Sequence, residues 1–244
     1  MSAGAVLLVL AVGAVLGAVV VRPLVFVYAR PQGTPPGTGC PACGARPLIA
    51  DRSVLLRFAA GRCAACSGPI GPAAGLPEVL TAVLFAAVAL VGAGGWLAVA
   101  QWWVVLLGVP LALIDLAVYR LPDHLTLALN GGGAVALAGA AATEQDHAVT
   151  VRALLAAVVL TVLFFALALM GGVALGDVKM APALGALLGW LSWSALTYGV
   201  LAGFVIGAAH AAGLLLAGKA GRRSRIAIGP ALITGAVVTS LLLS

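Results

Sequence analysis

The chain has 244 residues, 63% of them hydrophobic and 8% charged, with a mean hydropathy of +1.19. A soluble domain of this size cannot hide that much apolar surface, so the chain is read as a polytopic membrane protein. A net charge of +6 would suit a nucleic-acid binder. The basic residues, however, sit between apolar runs, where membrane topology explains them and no nucleic-acid partner is needed.

Apolar runs predict about eight transmembrane helices, near 4–28, 77–93, 96–118, 124–142, 151–169, 180–192, 194–217 and 227–243. The fold class is therefore all-α. A first helix within 1–29 precedes a polar loop over 30–76, and the remaining spans form a membrane domain over 77–244. The first run is longer than the apolar core of a signal peptide and no A-x-A-like site follows it, so it is read as retained. With the N-terminus outside, Arg30, Arg46, Arg52, Arg57, Arg62, Arg120, Lys179, Lys219, Arg222, Arg223 and Arg225 all fall on the cytoplasmic side. Arg22 is expected to snorkel inward from the end of the first span. Arg152 alone is on the wrong side.

The loop over 30–76 is rich in Pro and Gly and too short for a conventional core, so it needs a staple. Cys40-Pro-Ala-Cys43 and Cys63-Ala-Ala-Cys66 supply one, in the spacing of two zinc knuckles closing a tetrahedral thiolate site. Gly44 and Gly68 follow the knuckles, where a turn that aims amides at the sulfurs favours glycine. Two disulfides are the alternative, which the reducing cytosol disfavours. Four thiolates leave no open position, so the metal is structural.

Two carboxylates stand in apolar surroundings, Asp115 in Leu113-Ile114-Asp115-Leu116 and Asp177 in Leu175-Gly176-Asp177-Val178-Lys179. An acid in lipid costs several kcal/mol, about 2.5–3.5 on insertion scales, and needs a reason. Placed roughly 10 Å inside the third span, Asp115 could otherwise pair with Arg120. For Asp177 the competing role is a helix N-cap. Both fall at one membrane face, where two acids can share a proton and activate water. Asp123, in Leu121-Pro122-Asp123-His124, reads as a turn or cap, and Glu78 as a first-turn acid favoured by the helix dipole. His124, His147 and His210 make no metal spacing, and no phosphate-binding, dinucleotide or Ser/Cys nucleophile motif is present. An ion-coupled transporter would explain the acids but predicts an internal repeat. A non-enzymatic anchor displaying a zinc knuckle would explain only the cysteines.

These residues resemble, in order along the chain, the type IV prepilin peptidases, intramembrane aspartic peptidases of the GxGD kind. The tetracysteine loop, Gly75-Leu76-Pro77-Glu78, Ile114-Asp115 with Arg120-Leu121-Pro122-Asp123 and Thr126, Gly171 to Met180, and Ile228-Gly229-Pro230 carry the likeness. It implies that Asp115 and Asp177 are catalytic, supported by Gly176, Lys179, Asp123 and Glu78. It implies zinc on Cys40, Cys43, Cys63 and Cys66. The expected substrates are pilin-like or pseudopilin precursors, cut at the cytoplasmic face of a prokaryotic plasma membrane. The family also N-methylates the new terminus with S-adenosylmethionine. Two departures stand out: Ala174 replaces the first Gly of GxGD, and the stretch from Gly17 to Pro31 lacks the Asn of the family's N-terminal signature. The intact cysteine loop argues for methylation and the altered stretch against it, with the stretch weighing slightly more.

Overall fold

A computed structural model describes residues 2–30, 39–40, 42–45, 61–63, 65–68, 71–92, 94–218 and 227–244. Arg46, Arg52 and Arg57 in the first loop lie outside these residues, as do Lys219, Arg222, Arg223 and Arg225 in the last. Eight helical stretches follow one another among the described residues. They are α1 (Ala3–Tyr28), α2 (Leu76–Val91), α3 (Gly95–Val118), α4 (Asp123–Glu144), α5 (His147–Leu169), α6 (Leu175–Leu191), α7 (Trp193–Leu216) and α8 (Gly229–Leu242). All eight predicted spans are present. Five of the helices, α1, α3, α4, α5 and α7, are long and apolar enough to cross a membrane, while α2 and α8 are shorter apolar helices. With 14 residues, α8 rises only about 21 Å at 1.5 Å per residue.

Small residues set the closest helix contacts. A Cβ on Gly189 would lie 2.2 Å from Ala156 Cβ, and one on Gly185 2.8 Å from the Ala156 carbonyl, so α5 and α6 touch backbone to backbone. Across α3 and α4, Trp103 and Trp96 fill notches at Gly132 and Gly139. The Trp103 indole donates to the Ala128 carbonyl at 3.1 Å, which satisfies its polar end.

One arginine departs from expectation. Arg22 does not snorkel. It is 1% exposed and forms a two-pronged pair with Glu78, Nε to Oε1 at 2.7 Å and Nη2 to Oε2 at 2.8 Å. It also donates to the carbonyls of Pro72 and Ala73. Just before it, α1 widens into a π-helical turn over Gly17–Val21, and a Cβ on Gly17 would stand 2.6 Å from Glu78 Cα. Glu78 is therefore an ion-pair partner as well as a first-turn acid. Arg152, on the wrong side by charge count, donates to the carbonyls of Gly189, Trp190 and Leu191. These are orphan acceptors at the C-terminus of α6, the negative end of its dipole.

Candidate functional site

Asp115 lies in the last turn of α3, three residues before its end at Val118, so it is about 4.5 Å inside the helix end rather than 10 Å. Tyr119 then turns left-handed, at φ 52°, and closes the helix by donating to the Asp115 carbonyl at 2.8 Å. An acid at a helix C-terminus is opposed by the macrodipole, so something else must hold it there. The start of α8 supplies that: the Gly229 amide faces the Asp115 carboxylate.

The sixth helix begins at Leu175, five residues before the predicted edge, and takes Asp177 into its first turn. Ala174 is the N-cap, so Asp177 sits at the third helical position, where an acid is favoured. Gly171, at φ +74°, ends the preceding helix and frees the chain to turn into α6. At Gly176 the chain passes close to the turn after α3, since a Cβ there would be 3.1 Å from Leu121 Cδ1. That contact locks the segments bearing the two acids together.

Both carboxylates are buried, Asp115 at 7% and Asp177 at 2% exposure. They converge on one point: a Cβ on Gly229 would lie 2.9 Å from Asp115 Oδ2 and 3.2 Å from Asp177 Oδ1. Neither pairs with a cation among the described residues, so Arg120 does not neutralise Asp115. Gly229 is thus the third wall of the site. The sequence reading included it only within a motif, because nothing in an isolated Gly-Pro pair shows that a carboxylate rests on it.

The supporting residues divide. Asp123 opens α4 without capping it, since Pro122 is the N-cap. Its Oδ1 pairs with Lys179 Nζ at 2.5 Å, an exposed bridge that directs Lys179 toward Asp123. Glu78 belongs to the Arg22 pair. The three histidines are exposed.

The four cysteines gather outside the bundle. Their sulfurs all lie within 4.8 Å of one another, with Cys40 to Cys66 at 3.8 Å and Cys43 to Cys63 at 3.7 Å. A disulfide would bring sulfurs to about 2.05 Å, whereas a tetrahedral site with 2.3 Å metal–sulfur bonds has edges of about 3.8 Å. The cysteines therefore fit a metal ion. The knuckles are near copies: Gly44 N–H donates to the Cys40 carbonyl and Ser67 N–H to that of Cys63, each at 2.9 Å. Gly44 is left-handed as expected, but in the second knuckle that conformation falls on Ser67, at φ 57°, and not on Gly68. Backbone N–H groups of Cys66 and Ala65 lower the Cys63 thiol to about 6, while Cys43, against the pull of the Ala45 N–H, is pushed up to about 12 by the neighbouring sulfurs. Cys40 and Cys63 pack on Phe26, which seats the cluster at the end of α1.

Paired acids inside a helical membrane bundle, together with a cysteine cluster that could hold a metal ion, define a multi-pass membrane protein with a two-carboxylate site. Known proteins narrow this. The type IV leader peptidase family matches residues 101–212, the stretch that holds both acids. A prepilin leader peptidase/N-methyltransferase of Aeromonas hydrophila is 35% identical over 202 residues, covering 80% of this chain and 68% of that protein. Proteins of the same name from Burkholderia pseudomallei (strain K96243) and Klebsiella pneumoniae are each 32% identical. The first aligns over 84% of this chain and 66% of its own length, the second over 66% and 71%. No solved structure matches. The chain belongs to the type IV leader peptidase family and is a peptidase.

Proposed function

We propose that this protein removes the basic leader from type IV pilin-like or pseudopilin precursors, with Asp115 and Asp177 as an aspartic dyad. The observation that carries the reading is the convergence on Gly229 of two buried carboxylates that pair with no cation among the described residues. Two acids this close retain one proton between them. The ionised carboxylate takes a proton from water, and the resulting hydroxide attacks the scissile carbonyl. The protonated partner donates to the carbonyl oxygen as charge develops there. Collapse of the tetrahedral intermediate breaks the C–N bond, and the proton taken from water leaves with the new amine. The pair titrates as a unit, so neither role belongs to one residue in advance.

Topology supports the substrate. Arg30, Arg62, Arg120 and Lys179 flank the end of the bundle where both acids lie, which by the positive-inside rule is cytoplasmic. A precursor with a cytosolic leader and a membrane helix presents its junction there. Zinc is the metal we assign to Cys40, Cys43, Cys63 and Cys66; it would hold the short loop folded. Membership of a peptidase family disfavours the transporter and the inert anchor.

A second reading adds N-methylation, favoured by the names of the relatives. The cavity of about 510 Å³ between α4, α5 and α6 carries no carboxylate in its lining. It does not fit the ribose and charged sulfonium of S-adenosylmethionine, and no methyl-transfer step is derived. Mass spectrometry of the mature pilin N-terminus decides this reading: a gain of one methyl that requires the protein establishes it.

Co-expression with a pilin-like precursor tests the main proposal. Asp115→Asn and Asp177→Asn should each abolish the gel shift of leader removal while the protein remains inserted. Full processing by either variant would remove that residue from the dyad.

A further inference from the structure

Pro182 stands inside α6, five residues after Asp177. Having no N–H, it leaves the Val178 carbonyl without its helical donor, and its ring crowds that carbonyl. At this gap a side chain from another helix enters the ladder. Asn130 of α4 donates from Nδ2 to the Lys179 carbonyl at 2.7 Å and accepts at Oδ1 from the Ala183 N–H at 3.0 Å. Lys179 C=O and Ala183 N–H are the two groups that an unbroken helix would join directly. Nδ2 also donates to the Thr126 carbonyl at 2.9 Å. Both ends of the amide are thus engaged and its orientation is fixed.

We infer that Asn130 is a positioning residue, a splint across the Pro182 break that fixes the direction of the first turn of α6 and so the place of Asp177. The segment from Leu175 to Lys179 is too short to hold a direction by its own ladder once Pro182 has opened it. Packing does not brace the break on every side, because a cavity of about 510 Å³ is lined there by Asn130, Pro182 and Ala183. A side chain inserted into a helix ladder is a recognised cause of a fixed bend. Here the inserted amide comes from the helix whose first residue, Asp123, pairs with Lys179. Thus α4 grips the start of α6 at two points, the exposed Asp123–Lys179 bridge and the half-buried Asn130 amide.

The inference rests on Asp177 acting in the dyad, and a double-mutant cycle separates the two. Cleavage of a pilin-like precursor is measured for the full-length protein, Asn130→Ala, Pro182→Ala and the pair, together with thermal unfolding in detergent. Asn130→Ala should lower kcat about 10- to 100-fold, the scale of a 1 Å misplacement, with KM changed less than about twofold because the substrate still binds. Adding Pro182→Ala should return kcat to within about threefold of the original, because residues 182 and 183 then bond within the helix itself. A purely structural role would lower the amount of folded protein without this split and rescue. If Asn130→Ala is not recovered folded, the double variant carries the test: activity near the original supports the splint, and an inactive folded double variant overturns it. Additive effects on kcat and melting, with Asp177→Asn still inactive, would sink the splint alone. Coupled melting with Asp177→Asn fully active would sink the dyad alone.

Discussion

At the site each carboxylate is held by a different device. Asp177 needs only its place in the first turn of α6, whereas Asp115 sits against its own helix dipole and relies on the start of α8. Gly229 therefore holds the position of Asp115 and borders both acids. Gly229→Ala would put a Cβ 2.9 Å from Asp115 Oδ2 and 3.2 Å from Asp177 Oδ1, forcing the pair apart. Cleavage should fall by about 100-fold with insertion unchanged, as read by precursor gel shift and membrane fractionation. Asp123→Asn is the contrasting case. Its bridge to Lys179 is exposed, and such pairs contribute about 0–1 kcal/mol. The variant should keep most of its activity, and loss comparable to Asp115→Asn would place Asp123 in the chemistry. Of these residues the sequence revealed the acids, because a carboxylate among Leu and Ile is costly. It could not reveal the role of Gly229, whose part comes from what lies opposite.

Among the elements, α1 and α2 are joined by the least expected interaction. The Arg22–Glu78 pair is fully engaged, and its π-helical approach brings Gly17 onto the backbone of α2. Removing one partner strands the other, which in buried pairs costs about 3–5 kcal/mol. Arg22→Ala should therefore lower the melting temperature in detergent clearly, while Arg62→Ala on the exposed loop should not. Equal melting of both would mean that the pair is held by its surroundings and stabilises nothing. Helix existence was legible from hydropathy for all eight elements, down to the short sixth one. The start of α6 was not, because Gly-rich sequence before Asp177 reads as loop until Gly171, Ala174 and the Leu121 contact are seen together. Arg22 was misread for a related reason. Charge counting assigns sides but is blind to a buried carboxylate or to three free carbonyls at a helix end.

On the scale of the whole molecule, the chain divides into a bundle that holds the acids and a small cysteine module seated on Phe26 at the end of α1. Apolar packing of small residues holds the bundle, whereas the module gathers four cysteine sulfurs within 4.8 Å of one another, a set that could hold a metal ion. Purified protein should carry about one zinc per chain, and Cys63→Ser or Cys40→Ser should lose it. Since neither acid lies in the module, the bundle should keep its melting transition after zinc is removed, while protease cuts the loop sooner. Elemental analysis without metal, together with two disulfides by mass spectrometry, would reverse the assignment. Collapse of the bundle on zinc removal would show that the modules fold as one.

Composition and order alone determined that this chain is a helical membrane protein, that its four cysteines come as two closely spaced pairs in one loop, and that Asp115 and Asp177 are out of place in lipid. Those conclusions follow from local chemistry: apolar length, thiol spacing and the cost of a bare charge. Tertiary structure decided what distance along the chain conceals. It brought the two acids, 62 positions apart by their numbers, onto a glycine from the last helix. It also buried Arg22 against Glu78 and set the Asn130 amide into the break at Pro182. Each depends on which helix faces which, and the low charge and repeated small residues of the spans leave that choice to packing, which no single segment encodes.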